Sequence, residues 1–412
     1  MHAAVIGVSA LLLGAGAINL GLGLQASLLG LRAVHEGFDV VTTGLIMSSY
    51  YLGFSGGSLV APSIVNRAGH IRTFSAFASL ASAAALCHAV VVEPLSWMVF
   101  RALTGVCFAV LCLVAESWLN ERSTNMDRGR LLAVYFTVNL AATSAGQMLL
   151  TLAPVTGYDL FVLVSVVISL ALVPVALTST PTPAQISLER VHPKRLFDIS
   201  PVGFAGCLGA GFIAGALWSL AAVYGRESGL DKDDTALFVA VMILGGLVTQ
   251  WPLGRLSDKL DRRYVIAAVS FGIAALGALV ATGVASGGNL IFAAGALTGG
   301  MVLPLYGLSI AHTNDHIEAK DFVSASSSLL LVYGVGAVIG PFAATLAMRA
   351  FGPGGLFGHV GVIGVAVGVF ALYRITQRAP VPLDQTEPFV VAPRTSPMAF
   401  ELDPRSETGA PD

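Results

Sequence analysis

The sequence predicts an all-α membrane protein of twelve transmembrane helices, arranged as two pseudo-symmetric six-helix halves. Three observations predict it. The 412 residues are 55% hydrophobic and only 11% charged, whereas a soluble domain of this length carries about 25% charged residues. Apolar windows of about 20 residues, the length of helix that crosses a hydrocarbon core, recur with short polar breaks. Lys and Arg collect on one side of the topology that those windows define.

The windows run over 4–31, 40–65, 72–92, 95–118, 130–153, 157–178, 201–225, 235–255, 263–285, 289–312, 322–347 and 355–376. The first could imitate a signal peptide. It is about twice the length of a signal-peptide apolar core, and no Lys or Arg precedes it, so it reads as a span. Glycine recurs through the windows, 46 in all, which suits helices packed backbone to backbone in lipid. The longest interruption, 179–200, separates six windows from six. It divides the chain into a first bundle over 1–178, a linker over 179–200 and a second bundle over 201–376. Residues 377–412, rich in Pro, Thr and acidic groups, read as a disordered tail. The four cysteines, Cys87, Cys107, Cys112 and Cys207, lie inside apolar runs and read as small core residues.

With the N-terminus in the cytoplasm, the inside loops hold fifteen Lys and Arg and the outside loops four. That asymmetry places both termini in the cytoplasm and requires an even number of spans. An internal repeat agrees. Ala-Leu-Thr-Gly occurs at 102–105 and again at 296–299, an offset of 194, and at that offset Val138 and Gly146 fall on Val332 and Gly340. At an offset of 192 the loop after the second span falls on the loop after the eighth. Two parallel six-helix halves are one architecture of secondary transporters.

One stretch breaks the avoidance of charge. Gly254-Arg-Leu-Ser-Asp258-Lys259-Leu-Asp261-Arg262-Arg263 holds six charges in ten residues. It resembles the loop signature of the major facilitator superfamily, Gly-x-Leu-Ala-Asp-Arg-x-Gly-Arg-Lys, with Asp261 in place of the second glycine. The matching first-half loop is a poorer copy, with Pro62 for glycine and Asn66 for aspartate. Arg101-Ala-Leu-Thr-Gly105 resembles a second signature of that superfamily, Arg-x-x-x-Gly. The stretches TQWPLGRLSDKL, RGRLLAVY and VYGVGAVIGP are similar to its bacterial YcaD-like branch. Drug/proton antiporters of the superfamily often carry Gly-x-x-x-Gly-Pro in the fifth span. Here that span reads Ser144-Ala145-Gly146-Gln147, and the motif stands in the eleventh as Gly336 to Pro341, which argues against multidrug efflux.

The resemblance implies a central cavity lined by spans 1, 4, 7 and 10. Their polar and aromatic residues include Asn19, Gln25, Arg101, Trp218, Tyr224, Tyr306 and His312; spans 2, 5, 8 and 11 add Tyr50, Tyr51, Asn139, Gln147, Gln250 and Tyr333. A charge at the bilayer midplane costs roughly 2.5–3.5 kcal/mol, so Arg101 should face the interior. It is a candidate anion contact or coupling cation. Glu116 lies about 22 Å further along the same helix; it and His312 are candidate proton-coupling residues. His312 and His316 have a spacing that can hold a metal on a helix face, but at a helix end they read as solvated. The resemblance also places Asp258 against the start of a helix from the other half, the fifth, near Arg128 and Arg130. With Lys259, Arg262 and Arg67 these residues form a candidate gating latch, weaker at Asn66.

No nucleophile–His–acid arrangement, phosphate loop or basic nucleic-acid stripe is present, so the reading is not an enzyme, takes no cofactor and has no nucleic-acid partner. The expectation is a monomeric secondary transporter in the bacterial inner membrane. It would move a small neutral or anionic solute by alternating access, with protons as the candidate coupling ion. The alternative is a transporter-fold sensor or assembly factor for membrane complexes, without flux.

Overall fold

In lipid a backbone must satisfy its own hydrogen bonds, so each apolar window closes into a helix. The structure, a computed structural model, describes residues 2–123, 128–176, 191–284 and 288–403. The first half contains α1 (His2–His35), α2 (Val40–Ala68), α3 (His70–Val90), α4 (Pro94–Arg122), α5 (Arg128–Met148), α6 (Asp159–Leu170) and its continuation α7 (Leu172–Ala176). A short α8 (Pro193–Ile199) leads into the second half. That half contains α9 (Pro201–Glu227), α10 (Lys232–Ser257), α11 (Arg262–Ala281), α12 (Asn289–Asn314), α13 (Phe322–Phe351) and α14 (Gly355–Gln377). The expected spans are thus α1–α6 and α9–α14. Linker residues 179–190 fall outside the described residues.

Acidic residues at the window edges start several helices. Asp39 accepts the amides of Val41 and Thr42 at α2, Glu93 those of Leu95 and Ser96 at α4, and Asp231 that of Asp234 at α10. A carboxylate there satisfies free N–H groups and sits at the positive end of the helix dipole. The Asp39 carboxyl is held below the usual range by the Thr42 hydroxyl and amide.

Nine helices among the described residues are long and apolar enough to cross a membrane. Of the remaining three, α6 is short. The other two, α2 and α5, are diluted by polar residues, among them the buried Thr43, Ser48 and Ser58 of α2 and Asn139, Ser144 and Gln147 of α5. The outer surface is apolar: Val90 is 75% exposed, Val248 72% and Val362 67%. Such side chains are comfortable only against lipid.

The internal repeat is built into the packing. In the first half, Gly53 of α2 sits against the Ala102 carbonyl of α4, and Gly105 of α4 against the Tyr50 carbonyl of α2. In the second, Gly245 of α10 sits against the Ala296 carbonyl of α12, and Gly299 of α12 against the Met242 carbonyl of α10. The same holds for α1 with α5 (Gly23 on Thr143, Gly146 on Leu20) and α9 with α13 (Gly215 on Ala337, Gly340 on Phe212). The α1, α2, α9 and α10 members are 192 residues apart, and the α4, α5, α12 and α13 members 194. These are the two offsets in the sequence.

The halves meet chiefly through α2 on α13 and α5 on α10. At one end Gly44 lies against Thr345, the Ser144 hydroxyl donates to the Ala240 carbonyl (3.1 Å), and Lys232 Nζ donates to the carbonyls of Thr151 (3.0 Å) and Ala153 (3.1 Å). That end is closed. At the other, the basic end, which carries Arg67, Arg122, Arg128, Arg255 and Arg262, the C-terminal segment lies between the halves. The sequence reads 377–412 as disordered. Among the described residues, however, 378–403 run over both halves and bury Met398, Ala399, Phe400 and Leu402. The apolar clusters PFVVA and MAFEL give this Pro-rich segment something to pack.

Candidate functional site

The paired glycines bring α1, α2, α4 and α5 of one half into a tight wall, and the repeat makes the facing wall from α9, α10, α12 and α13. Between them lies a cavity of about 220 Å³. Its polar lining includes Asn19, Tyr50, Tyr51, Arg101, Asn139, Thr143, Gln147 and Trp218, with Tyr333 and Arg394 nearer the basic end. Phe54, Phe108, Phe136 and several Leu and Val residues make up much of the rest.

Eight of the thirteen cavity candidates therefore line one space: Asn19, Tyr50, Tyr51, Arg101, Asn139, Gln147, Trp218 and Tyr333. Asn19 donates to the Asn139 side chain (3.1 Å), tying α1 to α5. Gln25, Tyr224, Gln250, Tyr306 and His312 are buried but do not line it. Gln25 lies off the α1 face set by Asn19, Leu22, Gly23 and Ala26, because 3.6 residues per turn carries position 25 round to the side. Tyr306 packs edge-on against Tyr333, with ring centroids 5.1 Å apart. Gln250 lies beside Gly307 of α12.

Arg101 is 2% exposed. Its guanidinium stands 4.6 Å from the centre of the Tyr50 ring, and Nη2 points at the Met47 sulfur at 4.0 Å. Nε and Nη1 have no hydrogen-bond partner among the described residues. A buried cation is ordinarily paired, and this one faces the Tyr50 ring, the Met47 sulfur and the cavity.

The two coupling candidates lie outside the cavity. Glu116, four residues below the cavity-lining Cys112 on α4, is fully buried. It accepts from the hydroxyls of Tyr135 (2.8 Å), Thr395 and Ser396. His312 sits in a separate small cleft with His316, Asp261, Arg263 and Asp315.

The charged stretch 254–263 forms a network within its own half. Arg262 Nε pairs with Asp315 (2.7 Å), and its Nη1 with Asp258 (3.1 Å) and Ser257 (2.8 Å). Arg263 clamps Asp261 at 2.7 Å. Burial works against the Asp261 charge, but the hydrogen bonds and charge of Arg263 outweigh it and hold this carboxyl below its usual range. Arg262 and Arg263 are thus buried rather than turned to the lipid surface, because each has a carboxylate to neutralise it. Arg255 does reach the surface, stacked 3.7 Å from the centre of the exposed Trp251 ring. Asp258 does not meet Arg128, Arg130 or Arg67. Its second partner is the backbone N–H of Phe389 in the C-terminal segment (2.8 Å). Lys259, Arg130 and Arg67 are exposed, and Arg128 bonds to Ser123 (3.2 Å). Sequence reasoning missed Arg394, Thr395 and Ser396 altogether; the two apolar clusters of the tail were the available signal.

The profile of the Major Facilitator Superfamily matches residues 11–249 and again 199–400. The chain is 27% identical over 352 residues to an MFS-type transporter of Enterobacter sp. (strain 638), covering 85% of this chain and 91% of that one. It is 30% identical over 321 residues to the MFS-type transporter YcaD of Salmonella heidelberg, covering 76% and 81%. Its fold is similar to that of the nucleoside transporter NupG (TM-score 0.70, 10% identity, covering 91% of this chain and 99% of that one). It is also similar to that of a bacterial homologue of the human lysosomal transporter Spinster in an inward-facing, occupied conformation (TM-score 0.70, 15% identity, covering 92% and 97%).

Proposed function

The chain belongs to the major facilitator superfamily, and from that premise we propose that it is a secondary transporter that carries a small organic anion by alternating access. It is a multi-pass membrane protein. Relatives named as transporters, and a cavity shared by both halves, support a small-molecule cargo. The observation that carries the finer reading is Arg101. Its guanidinium is buried in a largely apolar, aromatic-walled space and lacks a carboxylate partner among the described residues. A carboxylate entering the cavity would supply the missing charge, and an uncharged isostere would leave it unmet. Asn19, Asn139 and Gln147 offer amide contacts for the rest of the solute, and Tyr51, Trp218 and Tyr333 offer aromatic faces.

The basic end is assigned to the cytoplasm on its Lys and Arg, with both termini there, in the inner membrane of a bacterium. On that assignment the conformation reads as open inward, closed outside by Lys232, Ser144 and Gly44. Protons are the candidate coupling ion. The purified protein functions as a monomer in this reading.

Thermal unfolding in detergent with a panel of small carboxylates and their amides, benzoate against benzamide among them, tests the anion site. A ligand at about 100 times its Kd stabilises the bound state by about 2.7 kcal/mol. At least one carboxylate should raise the midpoint, its amide should not, and Arg101→Ala should remove the response while remaining folded. Equal responses to acid and amide, or an intact response in Arg101→Ala, would sink the assignment.

A further inference from the structure

After α14 the chain turns back across the basic end and enters the space between the halves. Arg262 holds the Glu387 carbonyl, and Asp258 accepts the Phe389 N–H at 2.8 Å. The Phe389 ring lies on the bare backbones of Gly254 in α10 and Gly307 in α12, where a side chain would collide with it. Five residues on, Arg394 stands inside the solute cavity, 5.6 Å from the centre of the Tyr333 ring. Thr395 and Ser396 then donate to the two carboxylate oxygens of Glu116 on α4. Asn120 donates to Glu401 at 2.8 Å, and Phe400 and Leu402 are buried beside it. The segment thus bonds first to the second half and then to the first.

We propose that residues 387–403 are a tethered plug: the basic-end cleft is a peptide-binding site whose occupant is the chain's own C-terminal segment, and solute passes only when that segment withdraws. Blocking of solute rests on the reading of the cavity as the transport site. Docking of the segment does not, and it is tested separately.

Three features make the segment a removable part. It has little structure of its own, two short 3-10 turns (Leu383–Gln385 and Pro397–Phe400) and five prolines between 378 and 403. Its order comes from the cleft. Residues 378–386 tie it to α14, so rebinding after release is intramolecular and fast in effect. Glu116 is used by the plug and by Tyr135 alone among the described residues. That gives a buried carboxylate with no contact to the cavity a role as receptor. The plug also occupies Asp258, the residue that closure of this end would need.

A native cysteine reports on the plug. Cys112 lines the cavity just above Glu116 and is 7% exposed, Cys107 and Cys207 are fully buried, and Cys87 is partly exposed on α3. The full chain, a chain ending after Arg378 and a full-length Thr395→Ala/Ser396→Ala variant are treated in detergent with a charged methanethiosulfonate reagent. Modification of each cysteine is followed by mass spectrometry. Cys112 should react at least tenfold faster in the shortened chain and several-fold faster in the double variant, with Cys87 unchanged and Cys207 protected throughout. If shortening exposes Cys207, that chain has unfolded and the double variant decides. An unchanged Cys112 rate in every chain that keeps Cys207 protected overturns the plug and leaves the transporter reading untouched. If Cys112 opens as expected but no carboxylate binds the shortened chain, the plug stands and the anion site fails.

Discussion

Single glycines set how closely the helices approach. A methyl group on Gly105 would overlap the Tyr50 carbonyl, and one on Gly299 the Met242 carbonyl. Neither neighbour can yield, because each is main chain inside a helix. Gly105→Ala and Gly299→Ala should each cost about 1–3 kcal/mol, read as a lower unfolding midpoint in detergent. Gly56 and Gly358, with nothing within 4 Å of an added Cβ, should accept alanine without loss. Equal midpoints for all four variants would mean that the paired glycines do not govern the packing. These positions are legible in the sequence: Gly105 and Gly299 end the two copies of Ala-Leu-Thr-Gly. Arg101 is legible for a different reason, the cost of placing a guanidinium in a membrane span. The role of Glu116 is not legible, since its ligands Thr395 and Ser396 lie 279 and 280 residues away and no local pattern announces a contact of that range.

Among the elements, α10, α11 and α12 are joined at the basic end by ion pairs. Arg262 and Asp315, 2% and 3% exposed at their side chains, link the start of α11 to the end of α12. Breaking a buried pair by removing one partner costs about 3–5 kcal/mol, because the other charge stays behind. Arg262→Ala should therefore destabilise the protein by that order in a detergent-unfolding titration, and Arg262→Lys should recover only part, lacking the forked guanidinium that reaches Asp258, Ser257 and Asp315 together. Retention of wild-type stability in Arg262→Ala would contradict the network. The sequence motif marks these residues as special, but it suggests a contact across the halves. The structure shows a brace within one half, since the acidic partners lie on the same loop and on the neighbouring helix end. The second and fifth spans, expected alongside the more apolar ones, do form helices, and their polar faces contribute Tyr50, Tyr51, Asn139 and Gln147 to the cavity.

Across the whole molecule, the two halves are one packing pattern used twice, and the cavity lies in the space between. In the proposed latch, closing the basic end brings Asp258 towards the start of α5, near Arg128 and Arg130; in the structure Asp258 accepts the Phe389 N–H instead. Spin labels at the exposed positions 67 and 259, on opposite halves, should therefore move closer on average in a chain ending after Arg378. They should move apart again when Asp258→Asn is added. An unaltered distance distribution in both would remove Asp258 from the gate. Halves and helices can be read from hydropathy, charge sidedness and the repeat, because each is a periodic property of the chain; the cavity and its lining spans are what the family resemblance implies. The seating of the tail cannot, since it depends on a shape that exists only after both halves have formed. Whether this protein moves a small organic anion between its halves is decided by uptake of radiolabelled carboxylates into proteoliposomes, comparing the intact protein with Arg101→Ala. At least one carboxylate should enter, its amide should not, and Arg101→Ala should lose the uptake. No uptake of any carboxylate by folded protein, with or without its tail, or equal uptake by the two proteins, would refute the anion transporter.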